Sequence, residues 1–136
     1  MTEKLVLRRE AWQAMRRHVQ RRLPEEACGL LAGKDGRVEW TLGVPNAERS
    51  PVIFRMEPMA QWRAFQRIEA AGLELVGIYH SHPNGPETPS PTDIAASLYP
   101  VAQVIWCRMQ DRWQVRAFRI QAGEVTGMPL EFSESE

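Results

Sequence analysis

Apolar positions recur along this chain at two spacings, and the alternation between them lays out the elements. Lys4 to Leu7 reads as a short strand. From Arg9 to Leu23 the apolar Trp12, Met15, Val19 and Leu23 return at helical spacing with arginines between them, which predicts an amphipathic helix with a solvated basic face. His18 falls on that helix without a partner in sequence and is expected at the surface. Pro24 stops the helix. Ala27 to Ala32 is an apolar strand, the turn Gly33-Lys34-Asp35-Gly36 reverses the chain, and Arg37 to Val44 completes a hairpin. A polar loop from Pro45 to Pro51 leads to a predicted strand over Val52 to Met56. A second amphipathic helix runs from about Pro58 to Ala71 and is ended by Gly72. Leu73 to Tyr79 is β-rich and apolar, Val101 to Met109 is strongly apolar, and Gln114 to Ile120 alternates like an edge or half-exposed strand. One further strand is expected after Gly123, with an acidic mobile tail from about 131 to 136. Elements in this order predict one α/β domain over residues 1–136, a mixed sheet sandwiched between helices.

The chemistry concentrates in Gly77 to Asp93, GIYHSHPNGPETPSPTD. On a strand residues i and i+2 share a face, so His80 and His82 project together, roughly 6.5 Å apart at about 3.3 Å per residue. Two imidazoles so placed reach one metal ion. Pro83, Asn84, Gly85, Pro86, Pro89 and Pro91 forbid regular structure and turn the chain away. Ser90 as N-cap and Pro91 at the first helical position then open a short helix, in whose first turn Asp93 faces back toward the loop. Ser90 and Asp93 alone are an ordinary capping pattern, and an isolated His-x-His is a weak signal. Their conjunction, across a loop long enough to fold Asp93 over the histidines, points to a ligand set. Two His and one Asp leave a fourth tetrahedral position open, which marks a catalytic zinc rather than a structural one.

His-x-His, seven residues, Ser, two residues, Asp is the spacing of the JAMM motif, and the stretch resembles that of the MPN (Mov34/JAB) zinc metalloproteases in their compact prokaryotic form. The resemblance covers most of the chain. It implies the MPN/JAB fold, which is cytidine-deaminase-like, and an upstream glutamate in Glu-x-x-Gly-Leu, supplied by Glu26-Ala27-Cys28-Gly29-Leu30. Glu25 stands one residue too far from Gly29. In this reading one Zn2+ per chain is held by His80, His82 and Asp93 and lowers the pKa of a bound water from 15.7 to about 7. Glu26 takes the proton from that water and passes it to the departing amine, and Ser90 donates its hydroxyl to the oxyanion. The resemblance further implies the substrate, the isopeptide or peptide bond following the C-terminal tail of a ubiquitin-like protein. A sulfur-carrier type is expected, because the chain lacks room for the insertions by which eukaryotic deubiquitinases grip a second ubiquitin. Such a tail, extended, pairs with an exposed strand edge. The contrasting expectation is a metal-free MPN scaffold acting in protein assembly. That role needs none of the five functional positions, and all five are filled here.

Composition removes other classes. Lys+Arg and Asp+Glu both number 17 and the pI is near 6.8, so no global basic field exists to hold nucleic acid. The N-terminal MTEKLVLRREAW is charged within its first ten residues and lacks the apolar core of a signal peptide. No apolar run approaches the roughly 18 residues that cross a bilayer, and a cytoplasmic location is expected. Cys28 and Cys107 fall in apolar strand-like runs without a CxxC partner, and are expected to be buried structural thiols. There is no G-x-S-x-G and no cysteine beside a histidine in sequence, so nothing offers an acyl-enzyme route. The H-x-E and P-C-x-x-C signatures of a zinc nucleobase deaminase are missing too.

Overall fold

A computed structural model describes residues 4–133. In order it contains β1 (Leu5–Arg8), α1 (Arg9–Arg21), β2 (Cys28–Lys34), β3 (Arg37–Val44), α2 (Pro58–Ala70), β4 (Glu74–His82), α3 (Pro91–Ala96), β5 (Ala102–Met109), β6 (Arg112–Gln121), β7 (Glu124–Met128) and β8 (Leu130–Ser133). The strands form one eight-stranded sheet in the order β7-β6-β5-β4-β2-β3-β1-β8. β4 pairs antiparallel with β2 and parallel with β5, and β1 is parallel to both its neighbours, so the sheet is mixed, as the element order predicts.

Side-chain alternation sorts the strands' residues into two cores. On one side Leu31, Tyr79, Val104 and Trp106 meet Ala11, Met15 and Val19 of α1. On the other Leu30, Leu42 and Ile78 meet Ala64 and Ile68 of α2. The sheet therefore lies between the two helices, and burying each large apolar side chain contributes about 1.5–3 kcal/mol. β4, in the middle and covered on both faces, is buried from Gly77 to His82. α2 starts where its pattern says because Glu57 caps it, its carboxylate accepting hydrogen bonds from the amides of Met59 and Ala60 at 3.1 and 2.7 Å.

Several sequence expectations change once the strands are paired. Val52 to Met56 forms no strand, only an isolated bridge between Asn46 and Met56. The Asn46 side chain takes the Ile53 carbonyl and the Arg55 amide, the groups a ladder would have used. Of the two readings of Gln114 to Ile120, half-exposed holds, since burial alternates along β6, while edge does not, because β7 pairs with it. The end of the chain makes two strands rather than one, and β8 crosses to the far edge to pair with β1, with Glu131 bonded to Lys4 at 3.0 Å. Residues 131–133 of the expected mobile tail are thus ordered, while 134–136 lie outside the described residues. His18 is not a free surface residue, since its Nδ1 meets the Tyr79 hydroxyl at 2.6 Å.

Candidate metal centre

Strand alternation brings His80 and His82 to the α2 side of the sheet, at the C-terminal end of β4. Both are buried. The proline-rich loop then returns the chain so that α3 opens beside them. There Ser90 and Asp93 form a reciprocal capping box, the Ser90 hydroxyl accepting from the Asp93 amide at 3.0 Å and Asp93 Oδ2 from the Ser90 amide at 2.9 Å. The box holds Asp93 in the rotamer that points at the histidines, so capping does not exclude a second role for Asp93.

His80 Nε2, His82 Nε2 and Asp93 Oδ2 form a triangle with sides of 3.0, 3.0 and 3.1 Å. Tetrahedral ligands of an ion bonded at 2.0 to 2.1 Å stand about 3.3 Å apart, so this donor set fits one small cation with slight opening. The His82 Nδ1–H donates to the Pro86 carbonyl at 2.7 Å, which leaves Nε2 as the free lone pair in the triangle. His80 Nδ1 is buried with no partner among the described residues. Its ring is held instead by Phe54, stacked at 4.5 Å and 26°. Burial pushes the Asp93 carboxyl up, but the two imidazoles beside it and the Ser90 amide outweigh it and hold the group well below the usual carboxylate range. Burial also lowers His80, keeping its imidazole neutral as a metal ligand must be.

Glu26 is the next ring outward. It lies just before β2, is 3% exposed, and shares with His80 and His82 a cluster whose donor atoms all stand within 4.8 Å of one another. Its Oε1 has no partner among the described residues. Burial pushes its carboxyl up to about 8, with the His82 charge opposing and the Asp93 charge assisting. Ser81, between the two histidines, points to the opposite face and accepts a hydrogen bond from the Ala27 amide at 2.8 Å, which fastens the Glu26 segment to the histidine strand. Sequence reasoning passed over Ser81, Asn46 and Phe54. Strand alternation at least assigns Ser81 to the other face, whereas the particular bonds of Asn46 and the stacking of Phe54 on His80 show only in the fold.

A cleft of about 280 Å³ opens beside the triangle, walled by Phe54, Met56, Ile78, Leu98 and Tyr99 and bounded by His80 and Asp93. The cysteines do not take part. Both are buried, and burial pushes the Cys28 thiol up to about 12, where it donates to the Val44 carbonyl at 3.3 Å. No helix among the described residues is long and apolar enough to cross a membrane.

Residues 8–121 match the family described as prokaryotic homologues of the JAB domain. The chain is 38% identical over 130 residues to the CysO-cysteine peptidase of Mycobacterium tuberculosis, covering 93% of this chain and 89% of that one. It is 39% identical over 110 residues to a probable TtuB-protein conjugate cleaving protease of Thermus thermophilus, covering 80% and 71%. The solution structure of a Desulfitobacterium hafniense protein superposes with a TM-score of 0.87 at 29% identity, over 96% of this chain and 94% of that one.

Proposed function

The chain belongs to the family of prokaryotic homologues of the JAB domain, and from that premise we propose that it is a metallopeptidase hydrolysing the amide bond after the C-terminal tail of a ubiquitin-like, sulfur-carrier-type protein. The observation that carries the reading is the triangle of His80, His82 and Asp93, 3.0 to 3.1 Å on a side, with Glu26 beside it, whose buried Oε1 has no partner among the described residues. Two relatives named for cleaving CysO-cysteine and TtuB-protein conjugates supply the substrate class.

His80, His82 and Asp93 would hold the ion, proposed to be one Zn2+ per chain. Zinc supplies Lewis acidity, enough to bring the pKa of a water from 15.7 to about 7. Glu26 accepts the proton of the attacking water and delivers it to the leaving amine. Its raised carboxyl pKa suits it to carrying a proton near neutrality. Ser90 steadies the oxyanion. Its oxygen already accepts from the Asp93 amide, and its one hydroxyl proton remains to be donated.

The test has two parts. Elemental analysis should find one zinc per chain in the purified protein and in Glu26→Gln, and none in the His80→Ala, His82→Ala double variant. Mass spectrometry should then show cleavage of a ubiquitin-like carrier joined through its C-terminal carboxyl to cysteine or to a lysine ε-amine. Folded wild-type protein that takes up no zinc overturns the hydrolase reading and leaves the scaffold. Zinc uptake with neither conjugate cleaved overturns the substrate class.

A further inference from the structure

Asn46 lies in the loop between β3 and α2, yet it is only 8% exposed. An asparagine amide has two donor hydrogens and an acceptor oxygen with two lone pairs, and here all are used. Nδ2 donates to the Glu26 carbonyl at 3.1 Å and the Ile53 carbonyl at 3.0 Å. Oδ1 accepts from the Glu48 and Arg55 amides, both at 3.0 Å. The same loop reaches Glu26 a second time, for the Glu26 amide donates to the Ser50 carbonyl at 2.8 Å. The backbone groups on either side of the Glu26 α-carbon are therefore both fastened to one loop, and Asn46 gives that loop its shape. Phe54, in the same loop, stacks on His80. Ala27, one residue on, is held independently by Ser81.

We propose that Asn46 is a positioning residue for the hydrolysis, setting the Glu26 carboxylate against the metal centre through the Pro45–Met56 loop. The inference rests on the assignment of Glu26 as proton carrier. Glu26 has no side-chain hydrogen bond through Oε1 to orient it, so its aim depends on its backbone, and the backbone depends on Asn46. Truncating Asn46 frees two carbonyls and two amides next to the site while leaving the three proposed ligands on their own supports, β4 and the α3 capping box.

The test is a double-mutant cycle on the zinc-loaded protein with the two carrier conjugates above, using Asn46→Ala, Asn46→Ser, Glu26→Gln and the Asn46→Ala, Glu26→Gln pair, under single-turnover conditions. Misplacement by about 1 Å costs on the order of 100-fold, so Asn46→Ala should lower the single-turnover rate constant by about 100-fold, with the half-saturating concentration and zinc content near wild type. In the Glu26→Gln background the same change should cost almost nothing further, because the group it positions is gone. Amide hydrogen exchange by NMR gives a readout free of activity: in Asn46→Ala the Glu26 amide should exchange much faster while the Ala27 and Ser81 amides do not. Asn46→Ser, which keeps a hydroxyl too short to reach both carbonyls, carries the test if the alanine variant unfolds. Losses that multiply in the cycle, or an unchanged Glu26 amide, overturn the proposal. Wild-type turnover in Glu26→Gln overturns the Glu26 assignment itself and this inference with it, whereas an inactive Glu26→Gln beside a fully active Asn46→Ala removes Asn46 alone.

Discussion

The two faces of β4 each meet histidine, and they treat it differently. On the α1 side His18 is half-buried and satisfied: one strong bond to the Tyr79 hydroxyl at 2.6 Å and an edge-on ring contact with the same tyrosine. Burial, with Arg21 and Arg22 assisting, lowers its pKa to about 4, so it stays neutral and packs as a polar strut. On the α2 side His80 and His82 are crowded against each other and against one shared carboxylate oxygen, and His80 keeps a buried nitrogen with no partner among the described residues. A structural histidine is finished by the protein around it. The histidines across the sheet are left with lone pairs converging on one point, and Glu26, the next titratable group outward, keeps a buried oxygen with no partner among the described residues. Unsatisfied buried polar groups are costly, so a cluster of them on one face marks where the missing partner is something other than protein.

That contrast can be broken at either face. The largest effect is expected from His80→Ala or His82→Ala, which should abolish both metal content and conjugate cleavage while the protein still folds. Full activity in either variant would separate the triangle from the chemistry. Ser90→Ala should lower kcat by 10²- to 10³-fold, about 2.7–4 kcal/mol, by removing the oxyanion donor. It should also cost about 1 kcal/mol of stability through the lost cap, so thermal unfolding and kinetics together separate the two roles of one hydroxyl. A drop in stability without a drop in kcat would leave Ser90 a cap only.

On the other face the expected effects are on stability alone. His18 has its folded pKa near 4, below the unfolded 6.5, so the unfolded chain binds more protons between these values. Its contribution to stability is intact above about pH 6.5 and is lost as pH falls toward 4, by at most about 3 kcal/mol. Denaturant unfolding of wild type and His18→Gln at pH 7 and pH 4.5 should show the wild type losing more, and parallel losses would refute the coupling. With an effect similar in size to that of His18 or smaller, Tyr79→Phe strands the His18 nitrogen and should cost about 1–3 kcal/mol with metal content and turnover unchanged. A change in metal content there would mean that the two faces are not independent.

How far each feature was legible follows from how local its cause is. His80 and His82 share a face because of a period-two geometry that needs only the strand, and Ser90 with Asp93 needs only a helix start. The sheet order was not readable. β8 pairs with β1 although most of the chain lies between them, and only the assembled sheet offers that edge. His18 was misplaced because its partner, Tyr79, lies 61 residues later. The Val52–Met56 segment has strand composition, but a single side chain, Asn46, captures its backbone groups before any strand can. A loop asparagine carries no sign in sequence of which backbone it will hold.

The short helix α3 has a further consequence. It buries none of its residues, whereas β4 is hydrogen-bonded along both flanks. The proposed ligands are thus divided between the most protected part of the molecule and one of the least. Amides of the histidine strand are expected to open only when the sheet opens, and those of α3 far sooner, by local unfolding. An ion held by both would be released by the swing of a single six-residue segment carrying Asp93, while the two imidazoles wait in place. Lifetime of the loaded state would then be governed by the local opening of α3 rather than by the stability of the fold.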